Sequence, residues 1–312
     1  MLIALTGATG FIGQYLLAEL PKRGHRVRAL LRRPTAAMSS YMTAAVIGDL
    51  RYPQNLAAAL KGVDAIVHSA AVAHAASGRP EDDYRSINTA ATVALARAAE
   101  RSRVSRFVFL SSIRAQCGPV ADTVVTETDE PRPTDSYGKS KLAAELGLAE
   151  LGLDWVALRP VLVYGPGVKG NMAQLKRLAE LPFPLPLGSI TARRSLLSLD
   201  NLVAAIEVVL AAPQRALRRA YIVADQEALT VGQMIAAMRR GLGRQPNVFP
   251  FPPVLLTMLA RVAGQGEAFS RVSGPLVVDP SALMSLGWRP AVATASGLST
   301  LMRSAQLAPD DC

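Results

Sequence analysis

The sequence contains few cysteines and few histidines. Its two cysteines, Cys117 and Cys312, form no disulfide framework, and we therefore expect a reducing, cytoplasmic environment. The three histidines, His25, His68 and His74, do not show the spacing of metal ligands. We predict no metal site, and we expect His68 to pack at the end of a strand.

Long apolar runs are also missing. A membrane-spanning helix needs about 20 consecutive apolar residues, and the longest run here, "FPFPPVLLTMLA" (249–260), is shorter and includes three prolines. It predicts a helix that covers part of a core, and we expect no stable insertion into a membrane. Because 50% of the 312 residues are hydrophobic, the chain can build a large buried core.

Acidic residues are outnumbered, with 24 Asp plus Glu against 34 Lys plus Arg, and the net charge is +10. This balance raises the question of nucleic-acid binding. The arginines occur as separate pairs, and aromatic residues, at 5%, are not interleaved with them. We therefore expect a small polyanionic substrate and no nucleic acid. The pairs are Arg32-Arg33, Arg193-Arg194, Arg218-Arg219 and Arg239-Arg240.

Short apolar runs alternate with helical patterns through the first half of the chain. "LIALTG" (2–7), "DAIVHSAA" (64–71) and "RFVFLSS" (106–112) are typical of buried parallel strands. "LDWVALRPVLVYG" (153–165) predicts one further strand, and "INTAATVALARAAERS" (87–102) predicts a helix. The pattern indicates an α/β fold with a Rossmann-like doubly wound parallel sheet, followed by a smaller mixed C-terminal substrate domain.

The domain boundaries are predicted from a change in the sequence pattern after Gly165. From there on, segments that contain several prolines separate shorter predicted helices. The segment 193–224 is expected to return to the first domain, so the boundary is not a single cut. We predict a dinucleotide-binding domain over 1–165 with 193–224, and a substrate-binding domain over 166–192 and 225–312.

A glycine-rich turn follows the first strand. Gly7, Gly10 and Gly13 in "TGATGFIG" have the spacing of a dinucleotide-binding turn, where glycine permits a tight turn, close backbone approach and helix packing. The backbone N–H groups of the following helix, which starts at Phe11 and Ile12, would face a pyrophosphate.

The second strand lacks the terminal acidic residue that holds the ribose hydroxyls of NAD. It ends in Leu30-Leu31-Arg32-Arg33, and two guanidinium groups suit a 2′-phosphate, which favours NADP over NAD. Asp49, after the third strand, is a candidate acceptor for the adenine amino group. A turn-forming Asp is the alternative.

Lysine is rare among the basic residues, with 6 Lys beside 28 Arg, yet two lysines lie within four positions of Tyr137. On a helix, Tyr137 and Lys141 share one face, whereas Lys139 points elsewhere and is predicted to be solvated. The ammonium group, helped by an oxidised nicotinamide ring, is expected to lower the pKa of Tyr137, so that the phenol exchanges a proton while hydride moves. Ser112, at the end of a parallel strand, would orient the reacting oxygen.

These stretches resemble the extended short-chain dehydrogenases/reductases of the NAD-dependent epimerase/dehydratase family, which act on nucleotide sugars. The resemblance covers nearly the whole chain. Within the family, three stretches are most similar to the UDP-4-keto-sugar reductases of polysaccharide synthesis. They are "HSAAVAHA" (68–75), "DSYGKSKLAAE" (135–145) and "RPVLVYGPGVKGNM" (159–172).

The resemblance implies roles for individual residues and completes the set of candidates. Those for catalysis are Ser112, Tyr137 and Lys141. Those around the cofactor are Gly7, Gly10, Phe11, Ile12, Gly13, Arg32, Arg33, Asp49, Leu50, Ala70, Ala71, Asn88, Tyr137 and Lys141. Those around the substrate are Asn171, Arg193 or Arg194 as the phosphate clamp, and Arg271 as a further candidate for the same duty.

The chain departs from the family pattern at two places. Cys117-Gly118 stands where the family has Tyr-Gly, with one extra residue before it, so the serine alignment could shift by one. Val161-Leu162 stands where many 4-epimerases have an Asn. The arginines after the second strand and the similarity to the UDP-4-keto-sugar reductases favour a 4-keto-sugar reductase, and a 4-epimerase with tightly bound NAD is the alternative. A non-catalytic redox sensor is the alternative from another class, and the resemblance also implies a possible homodimer.

Overall fold

The computed structural model describes residues 1–34, 42–72, 80–262 and 273–307, and the elements below lie within these ranges. The strands are β1 (Leu2–Thr6), β2 (Arg26–Leu31), β3 (Met42–Val46), β4 (Ala65–His68), β5 (Arg106–Leu110), β6 (Trp155–Pro160), β7 (Leu162–Tyr164), β8 (Arg193–Arg194), β9 (Leu196–Ser198), β10 (Arg219–Val223) and β11 (Leu229–Thr230). The helices are α1 (Phe11–Lys22), α2 (Leu56–Ala59), α3 (Glu81–Tyr84), α4 (Ala91–Arg101), α5 (Ser136–Ala149), α6 (Gly170–Glu180), α7 (Leu199–Leu210), α8 (Val231–Gly241), α9 (Pro253–Val262), α10 (Ser281–Met284) and α11 (Thr294–Leu307). A π-helical turn (Arg85–Ala90) joins α3 to α4, and a 3-10 turn (Ile113–Ala115) follows β5.

Seven parallel strands form the main sheet in the order β10-β6-β5-β4-β1-β2-β3. Inside the sheet, Leu5 of β1 is in register with Ala29 of β2 on one side and with Val67 of β4 on the other. The strand order reverses between β1 and β4, and this is the place where dinucleotides bind in doubly wound folds. The predicted α/β fold with a doubly wound parallel sheet is confirmed.

Both faces of the main sheet are covered, which explains the unbroken apolar runs of its strands. All five residues of β1 are buried. Ile3 and Leu5 belong to one core cluster with residues of α1 and α7, whereas Ala4 belongs to the cluster on the other face with residues of α4 and α5. Because strand side chains alternate between faces, a strand covered on both faces is apolar at successive positions.

The residues after β7 divide between two packing environments. Helix α7 packs against the main sheet, and β10 extends that sheet in parallel with β6. In contrast, α6, α8 and α11 bury a separate apolar cluster that includes Met172 and Met234. The assignment of 166–192 and 225–312 to a substrate-binding domain stays a prediction, and this separate cluster is its structural basis.

Two predicted element boundaries are wrong. The strand predicted over 153–165 is divided, because β6 ends at Pro160 and β7 pairs with β9 in a separate two-stranded sheet. Pro160 has no N–H group to donate to a neighbouring strand, which favours an end of β6 at this position. The helix predicted over 87–102 is preceded by α3 and the π-helical turn. Pro80 at the N-cap and three acidic residues in the first turn favour this earlier start.

The apolar run over 249–260 forms α9 but covers little of a core. Leu256 packs against the cluster of α6, α8 and α11, whereas Val254, Leu255 and Met258 are exposed. The helix is present as predicted, and through Leu256 it covers part of that core. Across the part of the chain that the structure describes, no helix has both the length and the apolar character of a membrane span.

Candidate active site

A cavity of about 240 Å³ opens at the carboxyl edge of the main sheet. It brings together Ser112 and Tyr137, which are predicted to be catalytic. Asn171 and Arg194, which are predicted to bind substrate, line the same cavity. The other lining residues are mostly apolar and are Ile113, Arg114, Pro119, Val161, Leu162, Val163, Met172, Leu175, Leu196, Met234 and Leu276. The residues predicted for catalysis and for substrate binding therefore share one space.

Two serines follow β5, and their environments differ. Ser111 is buried and donates a hydrogen bond to Glu145. Ser112 lines the cavity, and its side chain accepts a hydrogen bond from the backbone N–H of Arg114 at 3.2 Å. It also forms a hydrogen bond with the side chain of Tyr137. Ser112 is therefore the serine placed to orient a reacting oxygen.

Tyr137 lies in the first turn of α5, and the N-cap Asp135 fixes the start of this helix. Its carboxylate accepts a hydrogen bond from the N–H of Gly138 at 2.7 Å. Burial raises the pKa of Tyr137 to about 12, and the hydrogen bond with Ser112 and the charge of Arg114 lower it only in part. Without a cofactor, the loss of hydration outweighs the nearby positive charge. The predicted lowering of this pKa, to which an oxidised nicotinamide ring contributes, stays a prediction.

Lys141 is buried one turn along the same helix, with its Nζ 5.9 Å from the centroid of the Tyr137 ring. The Nζ donates a hydrogen bond to the carbonyl of Leu110 at 2.7 Å and lies 4.5 Å from the centroid of the Phe109 ring. Burial lowers the pKa of Lys141 to about 7. Lys139 is exposed, as the helical spacing predicts.

The turn between β1 and α1 has the form of a dinucleotide cradle. Gly7 has a φ of +69°, and a Cβ atom there would lie 2.6 Å from the backbone nitrogen of Ala70. A Cβ atom on Gly13 would lie 2.0 Å from the carbonyl oxygen of Gly7, so α1 approaches the turn only with glycine at this position. Gly10 is the N-cap of α1, and no side chain caps this end. Because the N–H groups from Phe11 onward can meet a pyrophosphate, the residues present fit a dinucleotide.

Four further cofactor candidates lie around this turn. Phe11 and Ile12 are half-buried in the first turn of α1 and pack against the core. Ala70 donates its backbone N–H to Thr6 Oγ1 at 3.2 Å, whereas Ala71 is exposed. Contacts of these residues with a cofactor stay predictions.

The candidates near the adenine end lie on the turns after β2 and β3. Arg32 and Arg33 are exposed, and Leu50 is half-buried. The Asp49 carboxylate forms a salt bridge with Arg51 at 2.8 Å and accepts the backbone N–H of the same residue at 2.9 Å. These hydrogen bonds lower the pKa of Asp49 to about 2. Asp49 therefore forms a turn with Arg51, a partner that sequence reasoning missed, and its contact with an adenine amino group stays a prediction.

Asn88 is fully buried in the π-helical turn and is bonded on every side by protein. Its Oδ1 accepts the N–H of Val72 at 2.8 Å. Its Nδ2 donates to the Val72 carbonyl at 3.1 Å and to Ser140 Oγ at 3.1 Å. These bonds join the segment after β4 to α5, so Asn88 supports the site without facing the cavity.

The candidates for the phosphate clamp have different environments. Arg194 lines the cavity, and its guanidinium donates to the carbonyls of Gly274 at 2.6 Å and Pro119 at 3.1 Å. Arg193 is exposed and does not line the cavity, because successive residues of a strand point to opposite sides. Arg194 is therefore the better placed of the pair. Arg271 lies outside the described residues.

A second arginine of the cavity, Arg114, was missed by sequence reasoning. Its guanidinium forms a salt bridge with Asp135 and donates to Thr134 Oγ1 at 3.4 Å. A Cβ atom on Gly138 would lie 2.2 Å from the Arg114 carbonyl oxygen, so the backbone after Ser112 touches the first turn of α5. A basic residue two positions after the serine was the available signal.

A buried ion pair behind the catalytic helix was also missed. Glu145 of α5 and Arg159 of β6 form a salt bridge at 2.5 Å, and their side chains are 5% and 6% exposed. Arg159 also donates to the side chain of Gln116. Buried charges are retained when they are paired and hydrogen-bonded, and this network holds α5 against the sheet.

Comparison with known proteins places the chain among sugar-nucleotide enzymes and their relatives. The profile of the NAD dependent epimerase/dehydratase family matches residues 3–224. The UDP-glucose 4-epimerase of Vibrio cholerae is 34% identical over 299 residues, which cover 92% of this chain and 90% of the relative. The structure of MoeE5 in complex with UDP-glucose and NAD has a TM-score of 0.73 at 28% identity, with 98% of both chains covered.

A more distant structure shares the fold. The UDP-glucuronic acid 4-epimerase of Bacillus cereus in complex with NAD has a TM-score of 0.78 at 20% identity, covering 100% of this chain and 99% of that chain. The doubly wound fold agrees with the profile match and with these two structures. The chain belongs to the NAD-dependent epimerase/dehydratase family.

Proposed function

We propose that this protein is an NAD-dependent 4-epimerase of a UDP-sugar. The observation that carries the proposal is the single cavity that gathers Ser112, Tyr137, Asn171 and Arg194. The 34% identity to a UDP-glucose 4-epimerase along nearly the whole chain supports this reaction. The NAD in the MoeE5 complex supports the choice of cofactor over the NADP that the exposed Arg32 and Arg33 favoured.

The three predicted catalytic residues have different roles in the proposed reaction. Tyr137 takes the proton of the C4 hydroxyl and later returns it, and Ser112 holds the same oxygen through its hydroxyl group. The glycine turn and the N-terminus of α1 would hold NAD, which would supply the hydride acceptor and donor for C4. Lys141 places its amino group one turn along α5 from Tyr137, with Nζ 5.9 Å from the centroid of that ring.

Phosphate recognition is assigned to two other residues that line the cavity, Arg194 and Asn171. The Arg194 guanidinium suits a diphosphate because a planar fork forms charge-assisted hydrogen bonds with phosphate oxygens. Asn171, in the first turn of α6, offers an amide beside it. The apolar remainder of the wall, which includes Met172 and Leu276, excludes water from the reacting sugar.

The test is the replacement Tyr137→Phe, assayed with UDP-glucose and NAD by separation of the UDP-sugar products. We expect a loss of turnover of about 100-fold or more, because general acid–base catalysis contributes about 10²–10⁴-fold. Tyr221→Phe is the matched control, since it removes a buried tyrosine hydroxyl that donates to the Ala216 carbonyl, outside the cavity. Full activity in Tyr137→Phe would refute the assignment.

A 4-keto-sugar reductase is the second candidate, because two arginines stand where an NAD-binding strand has an acid. The same three catalytic residues would serve it, with Tyr137 protonating the 4-keto oxygen. Stoichiometric oxidation of NADPH by a UDP-4-keto-sugar, without epimerisation of UDP-glucose, would favour this candidate. A redox sensor without chemistry would respond to dinucleotide equally well in the wild type and in Tyr137→Phe.

A further inference from the structure

A line of hydrogen bonds between buried polar side chains starts at the dinucleotide turn. The N–H of Ala70 donates to Thr6 Oγ1 at 3.2 Å, and Thr6 Oγ1 lies 2.7 Å from His68 Nδ1. On the other side of the imidazole, His68 Nε2 lies 2.8 Å from Thr92 Oγ1. The Thr92 hydroxyl donates to the carbonyl of Asn88 at 2.7 Å.

The line continues from the π-helical turn to the catalytic helix. The side-chain amide of Asn88 donates to Ser140 Oγ at 3.1 Å, and the Ser140 hydroxyl donates to the carbonyl of Tyr137 at 2.7 Å. The side chains of the line, from Thr6 to Ser140, are all buried. The line therefore connects the backbone beside Gly7 with the backbone of Tyr137 through protein groups alone.

The number of available protons fixes the tautomer of His68. Thr92 has one hydroxyl proton, which it gives to the Asn88 carbonyl, so Thr92 must accept a proton from His68 Nε2. A neutral imidazole then has an unprotonated Nδ1, and this atom accepts the hydroxyl proton of Thr6. Thr6 Oγ1 remains free to accept the N–H of Ala70. Every donor along the line consequently points in the same direction, from the turn to α5.

We propose that His68, as the neutral Nε2–H tautomer, is a positioning residue that couples the dinucleotide turn to the catalytic helix. Both ends of the line are backbone groups of the predicted site. A Cβ atom on Gly7 would lie 2.6 Å from the Ala70 nitrogen, so the first donor belongs to the cradle itself. The last acceptor is the carbonyl of Tyr137, whose side chain faces the cavity.

The surroundings of His68 leave its ring little freedom. The imidazole is fully buried, with its centroid 5.7 Å from the Phe109 ring in a stacked arrangement and 5.9 Å from the Phe107 ring. Because the His68 ring is held in place and is hydrogen-bonded to Thr6 on one side and to Thr92 on the other, a displacement of Thr6 also displaces Thr92. The π-helical turn supports this geometry, since such turns redirect backbone groups at functional sites.

The direction of the hydrogen bonds can be tested without any assay of activity. We suggest a long-range ¹H–¹⁵N correlation spectrum of the full chain at pH 7, recorded on the His25→Gln/His74→Gln variant, so that His68 is the remaining histidine. We expect a protonated Nε2 and an unprotonated Nδ1. An Nδ1–H tautomer or an imidazolium would overturn the proposal.

The coupling itself can be tested by removing one hydroxyl group. This second experiment rests on the proposed function. It compares Thr92→Val with the conservative replacement Thr92→Ser and with the matched control Thr294→Val. Thr294 is also fully buried and donates to a backbone carbonyl, that of Glu227, at 2.8 Å. We expect Thr92→Val to lower kcat about tenfold or more, because small displacements of a catalytic group are costly, with the KM for UDP-glucose little changed.

Two comparisons distinguish a loss of positioning of the catalytic helix from a general loss of protein stability. Thr92→Ser should recover most of the lost kcat, and Thr294→Val should lower the melting temperature as much as Thr92→Val does while kcat stays at the wild-type value. A normal kcat in Thr92→Val, or an equal loss of kcat in Thr294→Val, would contradict the coupling. If the wild type does not turn over UDP-glucose, the proposed function fails. The spectrum and the effect of Thr92→Val on NAD affinity then decide the coupling.

Discussion

At the scale of single residues, the sequence shows which side chains belong together but not how their environment changes them. The four-residue spacing of Tyr137 and Lys141 predicts a common helix face, and the structure has both on α5. The direction of the Tyr137 pKa shift could not be predicted, because it depends on burial by segments far away in the chain. For the same reason, no pattern revealed that Glu145 pairs with Arg159.

The buried Lys141 gives the chain a specific dependence of stability on pH. Its pKa falls from 10.5 to about 7 on folding, so between these values the unfolded chain binds a proton that the folded chain does not. The free energy of unfolding therefore gains a contribution that grows as the pH rises from about 7 towards 10. Lys141→Met removes this contribution.

The measurement is urea denaturation at pH 7 and pH 9 of the wild type, Lys141→Met and Lys139→Met, all without cofactor. Lys139 lies on the same helix but is exposed, so its replacement should leave the pH dependence unchanged. We expect the wild type to gain more stability between the two pH values than Lys141→Met does. An equal gain in all three proteins would show that Lys141 titrates normally in the folded chain.

At the scale of elements, apolar periodicity and glycine spacing predict β1, α1 and β4 well. These elements obey local rules, since a strand covered on both faces is apolar throughout and a cradle needs glycine. The π-helical turn and the division of the strand at Pro160 could not be predicted, because they depend on which partner strand and which helix lie beside them. The pairing of β7 with β9, in particular, joins segments more than 30 residues apart.

The packing of α1 on the glycine turn can be tested by adding single methyl groups. A Cβ atom on Gly13 would lie 2.0 Å from the Gly7 carbonyl, whereas one on Gly10 would lie 3.2 Å from the same atom. Gly13→Ala therefore forces α1 away from β1, and we expect a loss of several degrees in melting temperature, corresponding to about 1–3 kcal/mol for overpacking.

Gly10→Ala is the matched control, because it adds the same methyl group to the same turn with a contact that small movements can relieve. We expect its melting temperature, measured without cofactor, to stay close to that of the wild type. Equal losses in the two variants would mean that close approach of α1 to the turn is not what requires glycine at position 13.

At the scale of the whole molecule, the alternation of strands and helices indicates the doubly wound sheet, and the sheet order places the site. The order β10-β6-β5-β4-β1-β2-β3 brings the ends of β1, β4 and β5 to one edge, so the glycine turn and Ser112 lie at the same edge of the sheet. Ser112 and Tyr137 line the cavity there. The cavity needs the second apolar cluster as well, because α6 and α8 supply Asn171 and Met234. Sequence patterns alone could not predict this closure, since those helices meet the sheet only through long-range packing.

In the proposed 4-epimerase reaction, hydride leaves C4 of the sugar and returns to the same carbon. An epimerase of this kind is unchanged after each cycle, whereas a reductase consumes its dinucleotide. In both reactions Tyr137 handles the proton, so the fate of the hydrogen on C4 is the property that separates them.

The most direct measurement uses UDP-glucose deuterated at C4, with wild-type protein and unlabelled NAD, and reads the product by mass spectrometry and proton NMR. We predict a C4-epimerised UDP-sugar that keeps its deuterium, with no net accumulation of reduced dinucleotide. Deuterium that accumulates in reduced dinucleotide, or the absence of any epimerised product, would contradict the account.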